Sequence, residues 1–246
     1  MAGKSKEILA VIPARGGSKG IPKKNIRMFS GAPLLVHTIV HAIEASKEAP
    51  IGRIVVSTDS EEIASIAKEG GAEVPYLRPA ELATGESRVV DAIIHLLGRL
   101  KASEGYEPSR VLLLQPTSPL RAPEDIKDSI ELFEKSGADS LVSVTRTENV
   151  LMTMDAGNVL RFENPEMLSS PNRQELPQYY KFDGSMIYLV KTDVLLRERS
   201  FFAGKVVGYE IERWRAVDLD EPQDFVVGEI LFKHQDEIRD AIKKFV

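Results

Sequence analysis

A glycine-rich, basic loop follows the first apolar segment of the chain, and its residue types suit phosphate binding. It contains three glycines, a serine and basic residues that include Arg15, Lys19 and Lys24. Glycine lets backbone N–H groups approach phosphate oxygens, and arginine and lysine neutralise the charge that moves during phosphoryl or nucleotidyl transfer. The spacing matches neither a Walker P-loop nor a Gly-x-Gly-x-x-Gly motif. The loop therefore predicts a triphosphate site of another type, and a basic surface loop is the alternative interpretation.

Two carboxylates near the end of the chain, Asp218 and Asp220, have the spacing of a metal site. Residues two apart on an extended segment face the same side, so both carboxylates can converge on Mg²⁺, which in turn bridges phosphate oxygens. The next acidic residues, Glu221 and Asp224, stand at the start of a predicted helix and suit capping. For Asp220 both roles, metal ligand and cap, remain open.

Other catalytic chemistries have less support. The chain has no cysteine, which excludes disulfides, a cysteine nucleophile and cysteine-ligated zinc. His37 and His41 are four residues apart, but no His-Glu-x-x-His motif is present, so helix packing is the favoured role. Ser118 and Ser185 lie outside any Gly-x-Ser-x-Gly elbow, which argues against hydrolysis.

The composition is that of a globular chain in which any anion site must be local. At 246 residues and 43% apolar content the chain can bury one large core. A net charge of -5 and scattered aromatics argue against nucleic-acid binding. No signal peptide or membrane-spanning segment is recognisable, so a cytoplasmic location with no membrane partner is expected.

The elements that must position these residues follow from the apolar pattern. Short β-branched runs alternate with longer segments of helical period, which predicts βαβ units and a mostly parallel sheet. The predicted strands are Ile8–Ile12, Arg53–Ser57, Ala72–Val74, Val111–Leu114, Ser140–Val144, Ser185–Val190, Val206–Ile211 and Ala216–Asp218. The predicted helices are Leu34–Ser46, Ser60–Glu69, Val89–Lys101, Ala122–Lys135 and a closing helix from Pro222 to Lys244.

The predicted domain organisation is a single domain over 1–246 with an inserted arm at 147–180. The arm is polar and irregular, apart from a turn at Asp155–Asn158 between two short extended pieces. Such an insertion buries too little apolar area to offset its ordering entropy. We therefore expect the arm to dock on a second copy of the chain, giving a homodimer.

Taken together, the motifs resemble those of the acylneuraminate cytidylyltransferases, the CMP-N-acetylneuraminic acid synthetases. The resemblance extends over essentially the whole chain and keeps the family's order. Its motifs are the opening loop, Ser57-Thr58-Asp59, Leu114–Arg121, Asp218-Leu219-Asp220 and, more weakly, Arg173–Gln178 and Asp183–Tyr188.

The resemblance implies a three-layer, Rossmann-like nucleotide-diphospho-sugar transferase fold with a small dimerisation arm. It also implies a Mg²⁺-dependent reaction in which the anomeric hydroxyl of an acidic nine-carbon 2-keto sugar attacks the α-phosphorus of CTP and pyrophosphate leaves. The hydroxyl proton goes either to Asp218 or to a metal-held hydroxide. The implied catalytic residues are Arg15, Lys24 and Asp218, and the implied metal ligands are Asp218 and Asp220.

The resemblance also assigns two binding sets. The nucleotide set comprises Arg15, Gly16, Ser18, Lys19, Lys24, Asn25, Arg78 and Ser87. The sugar set comprises Gln115, Arg173, Lys181 and Asp183, with Arg173 placed on the arm and acting within its own chain or across the dimer.

Several alternatives stay open beside this assignment. In Thr147–Met152 the chain lacks the His-Pro element and the basic residue typical of sialic acid enzymes, so legionaminic, pseudaminic and other nonulosonic acids are candidate substrates. A nucleotide other than CTP is a further possibility. A 3-deoxy-manno-octulosonate cytidylyltransferase is disfavoured by the opening loop, and a non-catalytic nucleotide-binding protein by the combined phosphate, sugar and metal sets.

Overall fold

The computed structural model describes residues 7–17, 20–147, 152–163, 178–182 and 186–245. The strands are β1 (Ile8–Pro13), β2 (Met28–Phe29), β3 (Ala32–Pro33), β4 (Ile51–Ser57), β5 (Arg110–Leu114), β6 (Ser140–Thr147), β7 (Met152–Met154), β8 (Leu160–Phe162), β9 (Tyr179–Phe182), β10 (Ile187–Lys191) and β11 (Val206–Glu210). The helices are α1 (Leu34–Ser46), α2 (Glu61–Glu69), α3 (Val89–Glu104), α4 (Pro123–Ser136), α5 (Thr192–Glu198), α6 (Pro222–Lys233) and α7 (Gln235–Lys243), with short 3-10 turns at Lys24–Ile26 and Ala80–Leu82.

The central sheet is seven-stranded, and five of its strands run in one direction. The order is β11-β6-β10-β5-β1-β4, with β9 paired to β6 beside this path. β1 is parallel to β4 and β5, and β11 is parallel to β6. β10 is antiparallel to both β5 and β6, and β9 is antiparallel to the end of β6. The prediction of an α/β fold with a mostly parallel sheet is confirmed.

Helices cover the sheet on both faces, which gives the three predicted layers. Along β1, Ile8, Ala10 and Ile12 pack with residues of α1, α2 and α4, whereas Leu9 and Val11 pack with residues of α3 and α5. All five side chains are fully buried. Because successive residues of a strand point to opposite faces, one continuous apolar run serves both layers.

The four helices predicted between Leu34 and Lys135 are confirmed as α1 to α4. Pro123 is the first residue of α4, where its missing N–H costs no helical hydrogen bond. Gly137 ends α4 in the left-handed conformation, with φ of 62°. The closing helix is divided at His234, whose φ of -110° and ψ of 16° leave the helical region, so the prediction of one continuous helix is wrong.

Two predicted strands are absent. Ala72–Val74 contributes only a single parallel bridge, between Glu73 and Val55. Glu73 N donates to Ile54 O, and Glu73 O accepts from Val56 N, so the two bonds lie on either side of Val55. Ala216–Asp218 belongs to no strand and joins no ladder. Its neighbour Leu219 instead donates its N–H to Thr117 O at 2.9 Å, a contact with a loop.

The arm contributes one small hairpin within the described residues. β7 and β8 pair antiparallel around the predicted turn, where the Asp155 carboxylate accepts from Gly157 N at 2.9 Å and Asp155 N donates to Val159 O at 3.1 Å. Residues 164–177 of the predicted arm lie outside the described residues. β9, which was not predicted, starts inside the predicted arm, and α5 was not predicted either.

Within the described ranges, no helix combines the length and apolar character needed to cross a bilayer.

Candidate active site

A cleft of about 510 Å³ opens at the carboxyl ends of β1 and β5. This position is the expected one, because ligands of open α/β sheets bind where neighbouring strands are reached by connections in opposite directions. The sheet places β4 and β5 on the two sides of β1. The predicted site residues that line the cleft are Arg15, Lys24, Asn25, Arg78, Ser87, Gln115 and Asp220.

The loop after β1 is braced by residues far from it in sequence. Gly16 donates its N–H to the Asp59 carboxylate at 2.8 Å, and Asn25 Nδ2 donates to Arg15 O at 3.0 Å. Arg15 Nη1 donates to Thr84 O at 2.6 Å, which ties the loop to the opposite rim of the cleft. The loop is therefore held at both of its described ends. Ser18 and Lys19, also predicted to bind the nucleotide, lie outside the described residues.

Arg78 lies at the floor of the cleft and is fixed to the end of β4. Its side chain donates from Nη2 to Ser57 O at 2.6 Å and from Nε to Ser57 Oγ at 3.1 Å, and its backbone N–H donates to Thr58 O. Arg78 is 8% exposed. Burial lowers the pKa of its guanidinium, while the charge of Asp59 acts in the opposite direction. The predicted nucleotide contact thus has a fixed position before any ligand binds.

The predicted metal pair lies on the segment before α6. Leu219, between the two carboxylates, is fully buried against Phe29 and Phe225, so Asp218 and Asp220 turn away from that apolar cluster. This alternation is the one that the sequence predicts. The segment is also anchored through Leu219 N to the loop that follows β5.

The capping role is filled by Asp224 rather than by Asp220. The Asp224 carboxylate accepts from Glu221 N at 2.7 Å and from Asp220 N at 3.0 Å, both at the start of α6. The Asp220 carboxylate instead pairs with Lys24, at 2.7 Å between Nζ and Oδ1. Of the two roles left open for Asp220, helix capping is therefore taken by another residue, and its side chain faces the phosphate loop.

The donor set at Asp218 and Asp220 fits Mg²⁺. Asp218 Oδ1 is buried and accepts a hydrogen bond from no residue that the structure describes, so it has a free oxygen for a hard cation. Burial raises the pKa of Asp218 to about 6. The negative charge of Asp220 also raises this pKa, whereas a hydrogen bond from Thr117 lowers it. Among the described residues no cluster of three or more metal-binding side chains occurs, so the remaining ligands would be phosphate oxygens and water, as Mg²⁺ prefers.

A glycine allows the phosphate loop and the metal segment to meet. A Cβ atom placed on Gly20 would lie 2.8 Å from Asp220 O, which is closer than real Cβ contacts allow. Any larger residue would push the two segments apart. Gly20 therefore sets the separation between the basic groups and the carboxylates.

The wall that carries Gln115 is braced by a buried arginine. Arg121 is 1% exposed and donates to Met186 O at 2.6 Å and to Thr38 Oγ1 at 2.9 Å. Lys181, predicted to bind the sugar, lies in β9 opposite Thr145, and it is not among the described residues that line the cleft. Arg173 and Asp183, the other two predicted sugar ligands, lie outside the described residues, as do positions 148–151, where the sialic acid motif is missing.

Sequence reasoning did not assign several residues that shape this site. The role of Asp59 was not foreseen, although Asp59 belongs to a motif that carried the resemblance. Thr84 could have been found from the turn-forming run Thr84–Ser87. A buried ion pair, Arg215 Nη2 to Asp125 Oδ1 at 2.9 Å, joins the start of α4 to the chain before Asp218. No local pattern indicates that pair, because its members are 90 residues apart.

Comparison with known proteins identifies the family of the chain. The cytidylyltransferase family matches residues 9–232. The chain is 38% identical to the CMP-N,N'-diacetyllegionaminic acid synthase of Legionella pneumophila over 92% of this chain and 96% of that protein. It is 32% identical to the N-acylneuraminate cytidylyltransferase of Streptococcus agalactiae serotype V over 92% of this chain but only 54% of that protein, so it spans about half the length of this second relative.

A solved structure shares the fold. It is a CMP:2-keto-3-deoxy-manno-octonic acid synthetase complexed with CTP, with a TM-score of 0.66 and 16% identity over 93% of this chain and 99% of that one. At that identity the likeness supports the predicted nucleotidyltransferase fold and no particular sugar. The length of the family match and the identity to the Legionella enzyme show that this chain belongs to the cytidylyltransferase family.

Proposed function

We propose that this enzyme transfers CMP from CTP to an acidic nine-carbon 2-keto sugar and releases pyrophosphate. The observation that supports it most directly is the 2.7 Å contact between Lys24 Nζ and Asp220 Oδ1 inside the cleft that Arg15 and Gln115 also line. That contact puts a basic loop suited to phosphates beside a carboxylate pair suited to Mg²⁺. A nucleotidyl transfer to a sugar needs both at one place.

The sugar we favour is of the legionaminic type. The Legionella relative is named for CMP-N,N'-diacetyllegionaminic acid and matches this chain nearly end to end. The absence of the His-Pro element and of a basic residue in Thr147–Met152 points in the same direction, away from sialic acid itself. The base is cytosine in the names of both curated relatives and of the structural neighbour, which supports CTP as the nucleotide.

In this proposal the chain's residues position charge around an in-line displacement. The anomeric oxygen of the sugar forms a bond to the α-phosphorus while the bond from that phosphorus to the β-phosphate oxygen breaks, and pyrophosphate departs. Arg15 and Lys24 bind and neutralise the phosphates, and Asp218 is the candidate acceptor of the hydroxyl proton. Mg²⁺, held by Asp218 and Asp220 when bound, supplies further neutralisation of the phosphate oxygens.

The proposed enzyme is a homodimer joined through its arm. Met152, Met154, Leu160 and Phe162 share one side of the β7–β8 hairpin, because residues that pair across an antiparallel ladder point the same way. We call these four side chains the arm face. They are 40 to 64% exposed, so each copy of the chain presents an apolar strip to solvent. A second copy of the same strip would cover it.

The test is a pyrophosphate-release assay with purified protein. Four nucleoside triphosphates are each combined with diacetyllegionaminic acid, pseudaminic acid, N-acetylneuraminic acid and 3-deoxy-manno-octulosonate, with and without Mg²⁺. We expect turnover with CTP and diacetyllegionaminic acid in the presence of Mg²⁺. Absence of turnover in every combination would refute the proposed function, and turnover restricted to another pair would replace the substrate.

A further inference from the structure

The loop over 79–88 contains a serine whose hydroxyl is fully used within the loop. Ser87 Oγ donates to Glu81 O at 2.8 Å and accepts from Thr84 N at 3.1 Å. It also lies 2.7 Å from Thr84 Oγ1. A serine hydroxyl has one proton and two acceptor positions. Since the proton is given to Glu81 O, Thr84 must be the donor in the contact between the two hydroxyls.

The hydroxyl of Thr84 is equally occupied. Besides donating to Ser87 Oγ, it accepts from Ser87 N at 3.2 Å and from Glu86 N at 3.3 Å. The two side chains therefore form a closed clasp that fixes the turn from Thr84 to Ser87. Ser87 lines the cleft, yet its hydroxyl has no hydrogen-bonding capacity left for a ligand while this clasp is intact.

The same turn is joined to the phosphate loop through a backbone group. The carbonyl of Thr84 accepts from Arg15 Nη1 at 2.6 Å, and an arginine has four further N–H donors for phosphate oxygens. Thr84 thus connects the clasp, through its side chain, with the basic loop, through its carbonyl. Thr84 and Gly85 line the same cleft as Lys24 and Asp220.

We propose that Thr84 is a positioning residue for the nucleoside triphosphate, and that Ser87 acts through it rather than as a ligand. This inference rests on the proposed function. The clasp holds the 79–88 loop in the shape that receives the nucleoside, and the Thr84 carbonyl holds Arg15 where the phosphates arrive. Preorganisation of this kind lowers the ordering cost that a ligand must otherwise meet on binding.

The position of Thr84 separates this role from a contribution to folding. Thr84 is exposed and belongs to no helix or strand. Thr84→Val keeps the shape of the side chain and removes all three hydrogen bonds of its hydroxyl, whereas Thr84→Ser retains the hydroxyl. Glu86→Gln is a matched control in the same turn, because the Glu86 contact with the clasp uses its backbone N–H.

The experiment measures CTP affinity by calorimetry without sugar, steady-state kcat and KM for CTP and for the sugar, and Tm. We expect Thr84→Val to raise the Kd and KM for CTP about tenfold, the effect of losing one to two net hydrogen bonds. The KM for the sugar, kcat and Tm should stay near wild type. Thr84→Ser should restore CTP affinity, and Glu86→Gln should match wild type throughout.

Other outcomes overturn the inference. CTP affinity unchanged in Thr84→Val, or lost equally in Thr84→Ser, would show that the hydroxyl does not position the nucleotide. A drop in kcat and Tm together with CTP affinity would indicate a general structural role. These results all require a wild-type enzyme that binds CTP and turns over; a wild type that does neither would refute the proposed function and this inference with it.

Discussion

The nucleotide side of the cleft and the arm hairpin are held in different ways. On the nucleotide side, residues predicted to contact the nucleotide have partners elsewhere in the same chain: Gly16 binds Asp59, Arg78 binds Ser57, and Arg15 binds Thr84. The arm face, which we place on the sugar side, has no such support. Its most exposed member, Met154, is 64% exposed, and the hairpin that carries it pairs only with itself in the described residues.

The difference fits the proposal that a second chain covers the arm, whereas the nucleotide side and the Gln115 wall are held by contacts within one chain. Hydrogen bonds formed within one chain fix charged groups before the ligand arrives, which reduces the entropy lost on binding. An exposed apolar strip gains little until it is covered. Changes on the first side should therefore act on nucleotide chemistry in every protomer, whereas changes on the second should depend on assembly.

The largest effect is expected from Asp220→Ala on the nucleotide side. This substitution removes one of two proposed metal ligands and the partner of Lys24, so turnover should fall by at least about 100-fold, the scale at which lost transition-state electrostatics is felt. Because the Asp220 side chain is 67% exposed, Tm should not change. The measurement is the pyrophosphate-release rate over a Mg²⁺ titration.

Asp240→Ala provides the control for Asp220→Ala. Asp240 is an exposed carboxylate on α7, paired with Lys243 within its own helix. Its removal lowers the negative charge by the same amount, and its rate should equal that of wild type. A near-normal rate in Asp220→Ala would remove the metal assignment and, with it, the chemical meaning of the contact with Lys24.

A smaller effect, on the stability of the whole chain, is expected at acidic pH. His41 lies on α1, and burial, with the charges of Arg121 and His37, lowers its pKa to about 3. In the unfolded chain histidine has a pKa near 6.5. Between about pH 3 and pH 6.5, therefore, His41 is protonated in the unfolded chain and neutral in the folded chain. Stability should fall as pH drops through 6.5, by up to about 2 kcal/mol at pH 5 from this residue alone.

His41→Gln tests this assignment, because glutamine does not titrate. The measurement is the free energy of unfolding in urea at pH 7 and at pH 5 for both proteins. The wild type should lose more stability between the two pH values than the variant. Equal losses would show that His41 is accessible to protons in the folded state and that α1 is less well packed than the structure indicates.

Much of the fold could be predicted because local pattern and tertiary packing agree. α1 to α4 have a helical apolar period, α2 to α4 each end at a glycine, and β1 is one unbroken apolar run. β9 could not be predicted, since its Tyr-Tyr-Lys-Phe sequence is exposed and alternates in no clear way. The break at His234 has neither glycine nor proline to signal it.

That the candidate site residues lie close together could also be predicted in part. Arg15, Gln115 and Asp220 each follow a strand or extended segment, and the topology brings those ends to one edge of the sheet. The braces could not be predicted, because Arg15 and Thr84 are 69 residues apart and meet through a backbone carbonyl that leaves no mark in the sequence. The sequence thus predicts the residues that could act on a substrate more readily than the residues that position them.

The smallest effect, and the one confined to the sugar side, is expected from Phe162→Glu on the arm face. A charge placed in an apolar contact should weaken self-association by about tenfold or more. If the arm helps to bind the sugar across the dimer, the KM for the sugar should rise as self-association weakens. CTP affinity should stay the same, because the nucleotide side is complete within one chain.

Thr153→Glu is the matched control, since Thr153 lies in the same hairpin but pairs with Arg161 on the side opposite the arm face. Sedimentation velocity over a concentration series measures the dimer constant for both variants and for wild type. Weakening in both would mean that charge in the hairpin, rather than the arm face, controls assembly. A wild type that is monomeric at all concentrations, yet fully active, would show that both sides of the cleft are complete in one chain and would remove the contrast between them.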